Sequence, residues 1–402
     1  MFKLNSFHYA GIGSRKINFL VSNNLIRVGF ALALSGGVLE SGAADGSDTS
    51  FEVGAKFAYD LMCDLDPTLP KGDYSRVMNI HLGWKGFNGR TQGSGYSHET
   101  PLAAEKLTAG FHPGWGNLSD GARKLMSRNA MQVLTRDLAS PVRFVMCHTS
   151  DGASTLAQTS SKTGGTGQAI RIAEHYGVRV RNLGNKDELS LAMEWCDKFF
   201  ERASAATGIN VEAYLNQRMS GYIGFENVYL GSMREAIESG SADIIIHDSS
   251  TYHDSHDPIS KMIYEIAPAA MAADSLTRHG DKKKLGTYSE SSIEVCNKQI
   301  TVLNAYTQLG KVAEEKSLNT DYEAVRKVLR ETNKQYRNKT IAMPRMGATV
   351  GNGCWFTLSN IIQTELKSNK VILLDSPELL GMKQVFSRSH IDNNNKQMEF
   401  KL

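Results

Sequence analysis

The sequence predicts an α/β protein built from two successive domains, the first of which carries a parallel sheet. Three observations support this prediction. Short apolar runs alternate with segments of helical periodicity, glycine turns join the two, and the same pattern restarts near residue 225. A chain of 402 residues also exceeds the size of a single compact core. We therefore expect a first domain over residues 1–215 and a second over residues 216–402, which ends in a polar tail.

The composition limits the classes of partner. Hydrophobic residues make up 41% of the chain, charged residues 22%, and the formal net charge is +3. A charge this close to balance makes nucleic acid an unlikely partner and favours no membrane surface. The five cysteines are dispersed without a Cys-x-x-Cys pair, as is typical of a reducing compartment. No secretory leader pattern and no apolar run of about 20 residues is present, so we expect a cytoplasmic location.

The most informative stretch is a glycine turn, residues 161–167, that leads directly into an apolar helix. Residues 143–147 before it and 178–183 after it are predicted strands, which completes a βαβ unit. A helix that opens on glycines presents free backbone N–H groups and the positive end of its dipole, and both attract phosphate. The candidate binding residues of this turn are Gly164, Gly165, Thr166, Gly167 and Gln168.

Two further glycine turns occur earlier in the chain. A strand from about Phe7 runs into residues 11–15, and a helix follows over residues 19–34. The strand at residues 38–42 runs into residues 43–48, which lead into a helix that contains Glu52. Because the carboxyl ends of parallel strands line a common crevice, the three turns are expected to lie together. Their candidate residues are Gly11, Gly13, Ser14, Arg15, Gly42, Ala43, Asp45, Asp48 and Glu52.

The segment from Asn79 to Gly116 is rich in glycine and aromatic residues and predicts a long loop. A loop of this length is typically a lid or a binding loop, and an irregular packing loop or a subunit contact is the equal alternative. Trp84 and Phe87 are candidates to stack on a base or to fill a crevice, and Arg90 to contact phosphate. Residues 185–208 then predict a helix that closes the first domain.

These motifs resemble those of the SLOG superfamily, the Rossmann-like group that includes DprA and the lysine-decarboxylase-like LOG proteins, and the bacteriophage branch most of all. The matching stretches, within about residues 5–200, are 9–15, 41–43, 45–48, 51–55, 111–113, 127–129, 164–173 and 178–183. The resemblance implies a nucleotide or an NAD- or ADP-ribose-derived ligand held by the glycine turns. It also implies a charge-assisted phosphate contact from Arg128, next to Asn129. If the chain is phage-encoded, its location would be the host cytoplasm.

The resemblance leaves catalysis open. LOG phosphoribohydrolases use an arginine and a glutamate around a Gly-Gly-x-Gly-Thr turn, whereas this turn has the order Gly-Gly-Thr-Gly-Gln. Glu52 and Glu174 are the candidate acids, and the alternative for each is a carboxylate on a helix surface.

The second half predicts another α/β domain. Strands are expected at residues 227–230, 242–247, 300–308, 340–344 and 370–374, and helices at 258–274, 322–335 and up to about 366. A glycine loop again opens the last helix. Its candidate phosphate-binding residues are Gly347, Gly351, Asn352 and Gly353.

This half resembles a macro domain, the fold that binds ADP-ribose, through residues 242–247, 302–308, 344–355 and 361–362. Four departures predict a degenerate or auxiliary domain that lacks the usual ADP-ribose site. Gly231–Met233 replaces the usual Gly-Asp motif, and Ser250 stands in place of asparagine. His256 and Pro258 stand in place of glycines, and Cys354 in place of an acidic residue. The replacement loop holds His247, His253, Asp254, His256 and Asp257, which form either a metal site or a solvated loop or subunit contact.

The sequence therefore predicts a nucleotide-binding protein with no certain cofactor, a small nucleotide ligand as partner and the capacity to form a homo-oligomer. Two alternatives stay open. The first is a hydrolase, either a nucleoside phosphate N-glycosidase or an ADP-ribose phosphatase. The second is a structural or assembly protein whose pockets are vestigial.

Overall fold

A computed structural model describes residues 6–91, 93–222, 233–253, 258–310 and 317–374. The contacts within the chain divide these residues into two compact units. The first unit comprises residues 6–15 and 21–222, and the second comprises residues 16–20 and 233–374. The domain limits 1–215 and 216–402 stay a prediction.

The first unit contains a six-stranded sheet in the order β4-β3-β2-β1-β5-β6, and every pair of neighbouring strands is parallel. The strands are β1 (Phe7–Gly13), β2 (Gly37–Ser41), β3 (Met78–His81), β4 (Tyr96–Ser97), β5 (Phe144–His148) and β6 (Arg179–Asn182). The strand order reverses direction between β1 and β5, and this is the position at which open α/β sheets form their binding crevice.

Within the described residues, seven α-helices accompany this sheet. They are α1 (Phe19–Leu34), α2 (Ser47–Leu65), α3 (Leu102–Phe111), α4 (Asp120–Leu134), α5 (Thr166–His175), α6 (Lys186–Thr207) and α7 (Val211–Ser220). Apolar residues of α4 and α5 pack with β1 and β5 into one buried cluster that includes Ile12, Met131 and Ile172. The helices α1 and α2 approach closely at Gly54, where a Cβ atom would lie 2.4 Å from the carbonyl oxygen of Ile26. The glycine is therefore needed for close contact between these two helices.

The second unit contains a five-stranded sheet in the order β11-β10-β7-β9-β8, in which only the β8–β9 pair is antiparallel. Its strands are β7 (Ile244–Ser250), β8 (Tyr288–Val295), β9 (Lys298–Gln308), β10 (Thr340–Met343) and β11 (Lys370–Leu373). Its helices are α8 (Met233–Glu238), α9 (Pro258–Ile266), α10 (Pro268–Ser275), α11 (Tyr322–Gln335) and α12 (Trp355–Glu365). The α/β class predicted for both halves is confirmed.

The five cysteines form no disulfide bond and differ in exposure. Cys63, Cys147, Cys196 and Cys354 are buried, whereas Cys296 is exposed at the tight turn between β8 and β9. Burial raises the pKa of the Cys196 thiol to about 12, which suppresses the reactive thiolate.

Two secondary-structure predictions were wrong, and one strand was missed. The segment 79–116 is not one long loop, because it contains most of β3, all of β4 and all of α3. The helix predicted over residues 258–274 is interrupted at Ala267, and α10 starts at Pro268, which lacks the N–H group that a continuous helix would need. The strand β8 was not predicted, because its sequence is largely polar and its residues alternate between half-buried and exposed positions. The strand predicted at residues 227–230 and the polar tail lie outside the described residues.

In the ranges that the structure describes, no helix combines the length and apolar character that a membrane crossing requires.

Candidate functional site

The carboxyl ends of β1, β2 and β5 bring the first two glycine turns together. Gly13 pairs with His148 across the parallel ladder, and the Ser14 N–H donates to the His148 carbonyl at 2.8 Å. The Ser47 N–H and hydroxyl both donate to the Ser14 carbonyl, at 3.1 and 3.0 Å. The turns that follow β1 and β2 are therefore bound to each other and to the end of β5.

Asp48 occupies the backbone donors between these turns. Its carboxylate accepts hydrogen bonds from the N–H groups of Gly13 and Gly42, both at 3.2 Å, and of Ala44 at 3.4 Å. Burial raises the pKa of this carboxyl group, while the charge of Arg128 and the Ala44 and Gly42 amides act in the opposite direction. The donors that the sequence assigned to a ligand are thus bonded to a side chain of the protein itself.

Arg128 is buried beside the second turn. Its guanidinium donates to the Gly42 carbonyl and lies 4.8 Å from the centroid of the Phe87 ring. Burial lowers the pKa of Arg128 to about 10, although Asp48 acts to raise it. A Cβ atom at Gly42 would lie 2.9 Å from the guanidinium carbon, so this glycine makes room for the arginine. Arg15, in the first turn, is exposed.

The remaining residues of the first two turns also have internal partners. A Cβ atom at Gly11 would lie 2.4 Å from Leu39, so the glycine permits close packing under the sheet. The Asn88 amide donates to the Ala43 carbonyl at 2.9 Å and to the Asp45 carboxylate at 3.3 Å. The segment around Asn88 therefore holds the second turn in place.

Glu52 belongs to a buried ion-pair network and not to a helix surface. Its carboxylate accepts from Arg90 Nε and Lys56 Nζ, each at 2.8 Å, and from the Tyr96 hydroxyl. Burial alone would raise the pKa of Glu52, but Arg90, Lys56 and Tyr96 outweigh it and lower the pKa to about 2. Arg90, considered above as a phosphate contact, is therefore paired with Glu52.

The two aromatic candidates have different environments. Phe87 is buried, and Trp84 packs edge-on against it with 4.9 Å between ring centroids and 42% of its surface exposed. Of the two alternatives for Phe87, stacking on a base or filling a crevice, its burial against Arg128 favours the second.

The third glycine turn differs from the first two, because two of its glycines are exposed to solvent. Gly164 and Gly165 are exposed, and Gly164 has φ +58°, a backbone angle that glycine adopts without strain. Among the described residues, no acceptor lies on the N–H groups of Gly164, Gly165 or Thr166. The Gly167 and Gln168 N–H groups bond the carbonyls of Gly164 and Gly165, both at 3.2 Å. Three consecutive donors at the start of α5 are thus unoccupied.

The side chains around the third turn support it from beneath. Gln168 is buried, and its amide donates to the Thr108 carbonyl at 3.1 Å, which links α5 to α3. The Asn129 amide makes a long contact of 3.5 Å with the Gly165 carbonyl. The side chains of Gln168 and Asn129 therefore contact other parts of the protein at the turn and its helix.

Asp151 is the residue that sequence reasoning missed. It accepts hydrogen bonds from the hydroxyls of Thr163, Ser160 and Thr149, the last two at 2.7 Å. Burial acts to raise the pKa of Asp151, but these hydroxyls outweigh it and hold the pKa far below its usual range. Asp151 thereby fixes the loop that enters the third turn. The signal in the sequence was a carboxylate among closely spaced serines and threonines just after a strand.

Glu174, the other candidate acid, is exposed on α5. Its carboxylate accepts the Leu156 N–H at 2.6 Å and so orders a short 3₁₀ turn. Neither candidate acid therefore presents an uncommitted carboxylate to the third turn.

In the second unit, the glycine loop before α12 is held by two side chains. The Asp248 carboxylate accepts the Gly347 N–H at 2.7 Å, and the Thr320 hydroxyl donates to the Gly347 carbonyl at 2.8 Å. The Gly353 N–H also donates to Gly347, at 2.8 Å, and Asn352 donates to the Ser317 carbonyl at 3.0 Å. A Cβ atom at Gly351 would lie 1.9 Å from the Thr320 hydroxyl oxygen, so only glycine fits there.

The histidine and aspartate residues near β7 do not form a cluster in the described part of the chain. His247 is buried within β7, where its Nε2 lies 2.7 Å from the Asn304 side-chain oxygen. The Nε2 atom of His253 lies 2.8 Å from the Thr277 hydroxyl. Asp254, His256 and Asp257 lie outside the described residues, as do Gly231 and Ser232. Within the described ranges, no three side chains of the metal-ligating types come together.

A buried carboxylate on β2 links three strands. Glu40 accepts from His8 Nδ1 and His81 Nε2, both at 2.7 Å, and from the Asn79 amide at 2.8 Å. The hydrogen bond to Glu40 raises the pKa of His8, against partial burial. Burial acts to raise the pKa of Glu40, but the His8 and His81 hydrogen bonds outweigh it and lower this pKa.

The hydrogen bond between His8 and Glu40 predicts a pH dependence of stability. Because folding raises the pKa of His8 above 6.5, its contribution is fully present below about pH 6.5 and is lost as the pH rises through the folded-state value. We expect the gap in urea midpoint between the wild type and His8→Asn to shrink between about pH 5.5 and about pH 8.5. His175→Asn, at an exposed histidine without a carboxylate partner among the described residues, is the control. A gap that stays constant over this range would contradict the pairing.

Comparison with known proteins gives the following similarities. No protein-family model matches the chain. It is 29% identical over 141 residues to an uncharacterized 17.5 kDa protein from the tk-vs intergenic region of Enterobacteria phage T4; the match covers 34% of this chain and 88% of that protein. Among solved structures, a protein of unknown function from Bacteroides thetaiotaomicron is 23% identical, with a TM-score of 0.30 over 37% of this chain and 97% of that one. The macrodomain of Thermus aquaticus DarG is 14% identical, with a TM-score of 0.29 and the same two coverages.

Proposed function

We propose that the first unit binds a phosphate-bearing nucleotide derivative at the third glycine turn. The observation that carries this proposal is the row of three unoccupied backbone donors on Gly164, Gly165 and Thr166. They stand at the start of the ten-residue helix α5, whose dipole adds positive potential at the same place. The turn follows β5, on the edge of the sheet where ligands of open α/β folds bind.

The proposed binding mode differs from the one that the sequence motifs suggested. The first two turns cannot hold a second anion on the Gly13, Gly42 and Ala44 donors, because Asp48 already bonds them. The phosphate therefore goes to the third turn, and Arg15 is the exposed cation that remains among the candidates of the first turn. The nucleotide class of the ligand, with ADP-ribose and NAD derivatives as its first members, rests on the resemblance to SLOG proteins.

Binding is favoured over hydrolysis, because both candidate acids are already hydrogen-bonded to other groups of the protein. Glu52 is committed to Arg90, Lys56 and Tyr96, and Glu174 to the Leu156 amide. A glycosidase needs a carboxylate that can reach the ligand or its attacking water. A structural role is the second candidate, and the Asp48 hydrogen bonds support it, because they connect two glycine turns to each other without a ligand.

The second unit is proposed as an auxiliary binding domain. Within the described residues, the N–H groups of Thr349, Val350 and Gly351 have no acceptor, and the loop that carries them is fixed by Asp248 and Thr320. This arrangement suits an anion of the same chemical type as the one proposed for the first unit.

A carboxylate introduced into the third turn tests the main proposal. Gly165 has φ −62°, which an aspartate adopts without strain, and its nearest neighbour would be the flexible end of Met126. Isothermal titration with ADP-ribose, NAD and adenosine monophosphate is expected to show binding of at least one of them by the wild type. The Kd should rise at least about tenfold in Gly165→Asp, because the new charge repels phosphate.

Gly121→Asp is the matched control. Like Gly165, Gly121 is exposed at the start of a helix. It lies in the first turn of α4, and a Cβ atom added there would have no heavy atom within 4 Å. The control should bind as the wild type does. A folded wild type that binds none of the three compounds, or equal affinity of Gly165→Asp and the wild type, would refute the proposal.

A further inference from the structure

A basic loop in the second unit follows α10 and is anchored from within. The Gly280 N–H donates to the Thr251 carbonyl at 2.8 Å, which fixes the loop to the end of β7. Lys284 is only 8% exposed, and its ammonium donates to the Thr277 hydroxyl at 2.7 Å and lies 4.2 Å from the centroid of the Tyr306 ring. One lysine of the loop thus holds it in place from the interior.

Two rings stand exposed beside this loop. Tyr252 has 40% of its surface exposed, and His279 meets it edge-on with 5.2 Å between ring centroids. The Tyr252 ring lies against Gly310 and Gly280, where a Cβ atom would come within 2.9 and 3.2 Å of it. Because both neighbours are glycines, their backbones approach the ring closely, and 40% of the Tyr252 surface stays open to solvent.

Three exposed cations lie on the same loop as His279, within four residues of it. Arg278, Lys282 and Lys283 are exposed, and within the described residues their side chains form no ion pair or hydrogen bond. The carboxylate of the loop, Asp281, accepts the Lys283 N–H at 2.9 Å and so stabilises the 3₁₀ turn that carries both lysines. The loop therefore carries a local excess of positive charge. The net charge of the whole chain, +3, does not indicate this local excess.

We propose that this surface, formed by Tyr252, Arg278, His279, Lys282 and Lys283, binds single-stranded nucleic acid. A base stacks on the open side of Tyr252, and the flanking phosphates meet the three cations. The combination of ring and charge selects this partner. An acidic protein would use the cations without needing a stacking ring, and the paired bases of a duplex are not available to stack. The surface lies in the second unit and is independent of the ligand site proposed for the first.

Fluorescence anisotropy with a labelled oligothymidylate of about 20 nucleotides tests the proposal on the full-length chain. The wild type should bind at about 50 mM salt and markedly more weakly at about 200 mM. In Lys282→Ala/Lys283→Ala the slope of log affinity against log salt should decrease in magnitude by about 1.4, since two phosphate contacts are lost. Tyr252→Leu should weaken binding about tenfold, and Tyr252→Phe should bind as the wild type does.

The control is Lys261→Ala/Lys370→Ala, which removes the same charge from exposed lysines elsewhere in the same unit. It should keep both the affinity and the salt slope of the wild type. Three results would overturn the proposal: no binding at the lower salt, an equal loss in the control, or a polyglutamate peptide that binds as tightly as the oligonucleotide regardless of Tyr252. Circular dichroism of each variant confirms that it is folded before its affinity is compared.

Discussion

Replacing Asp48 with alanine is expected to lower the free energy of unfolding by about 3–5 kcal/mol. The change leaves the N–H groups of Gly13, Gly42 and Ala44 without their acceptor and removes the negative charge near the buried Arg128. Burial raises the pKa of Asp48 more than Arg128 and the backbone amides lower it. Even so, removing the carboxylate destabilises the fold, because its buried hydrogen-bond donors then have neither an acceptor nor access to water. Urea unfolding followed by circular dichroism measures the loss.

One control makes this result specific. Asp120→Ala, at a carboxylate with 95% of its side chain exposed, should change stability by less than about 0.5 kcal/mol. Equal stability of Asp48→Ala and the wild type would show that the N–H donors of Gly13, Gly42 and Ala44 do not depend on Asp48.

The second large effect is expected at Glu52. The Glu52→Gln variant keeps the shape of the side chain but leaves Arg90 and Lys56 without a negative partner in a buried site, so we expect a loss of about 3 kcal/mol. Folding lowers the pKa of Glu52 from 4.5 to about 2, so its contribution is present above about pH 4.5 and is lost as the pH falls towards 2. Urea midpoints measured at neutral pH and near pH 3 should therefore show a smaller difference between wild type and variant at the lower pH.

Glu99→Gln is the matched control for that measurement. Glu99 pairs with Arg136, but both side chains are more than half exposed, so the loss should stay below about 1 kcal/mol. A loss at Glu52 that is no larger than the loss at Glu99 would mean that the buried network does not stabilise the fold.

Long amphipathic segments were predictable because many residues contribute to one pattern. The helices predicted over residues 19–34 and 322–335 are confirmed as α1 and α11. The strands β3 and β4 have four and two residues, too few for a periodicity to emerge. The strand β8 forms through pairing with β9, a tertiary effect that its own polar sequence does not display.

The glycine turns were predictable in position, but the hydrogen-bond partners of their backbone donors were not. Glycine turns after strands indicated where backbone donors would be exposed, and the structure places the first two turns together. The sequence pattern does not tell whether the Asp48 carboxylate accepts hydrogen bonds from these backbone donors or faces a ligand. The answer depends on the direction of the side chain within the fold. Asp151 could have been singled out by the hydroxyl residues around it, whereas the pairing of Glu52 with Arg90 joins residues 38 positions apart.

The exposure of one thiol out of five has a practical consequence. A maleimide dye added to the folded protein should attach at the β8–β9 turn, since the other four cysteines are shielded. The native sequence thus provides a single attachment point for a fluorophore, and its emission would report on events at the second sheet without any engineered cysteine.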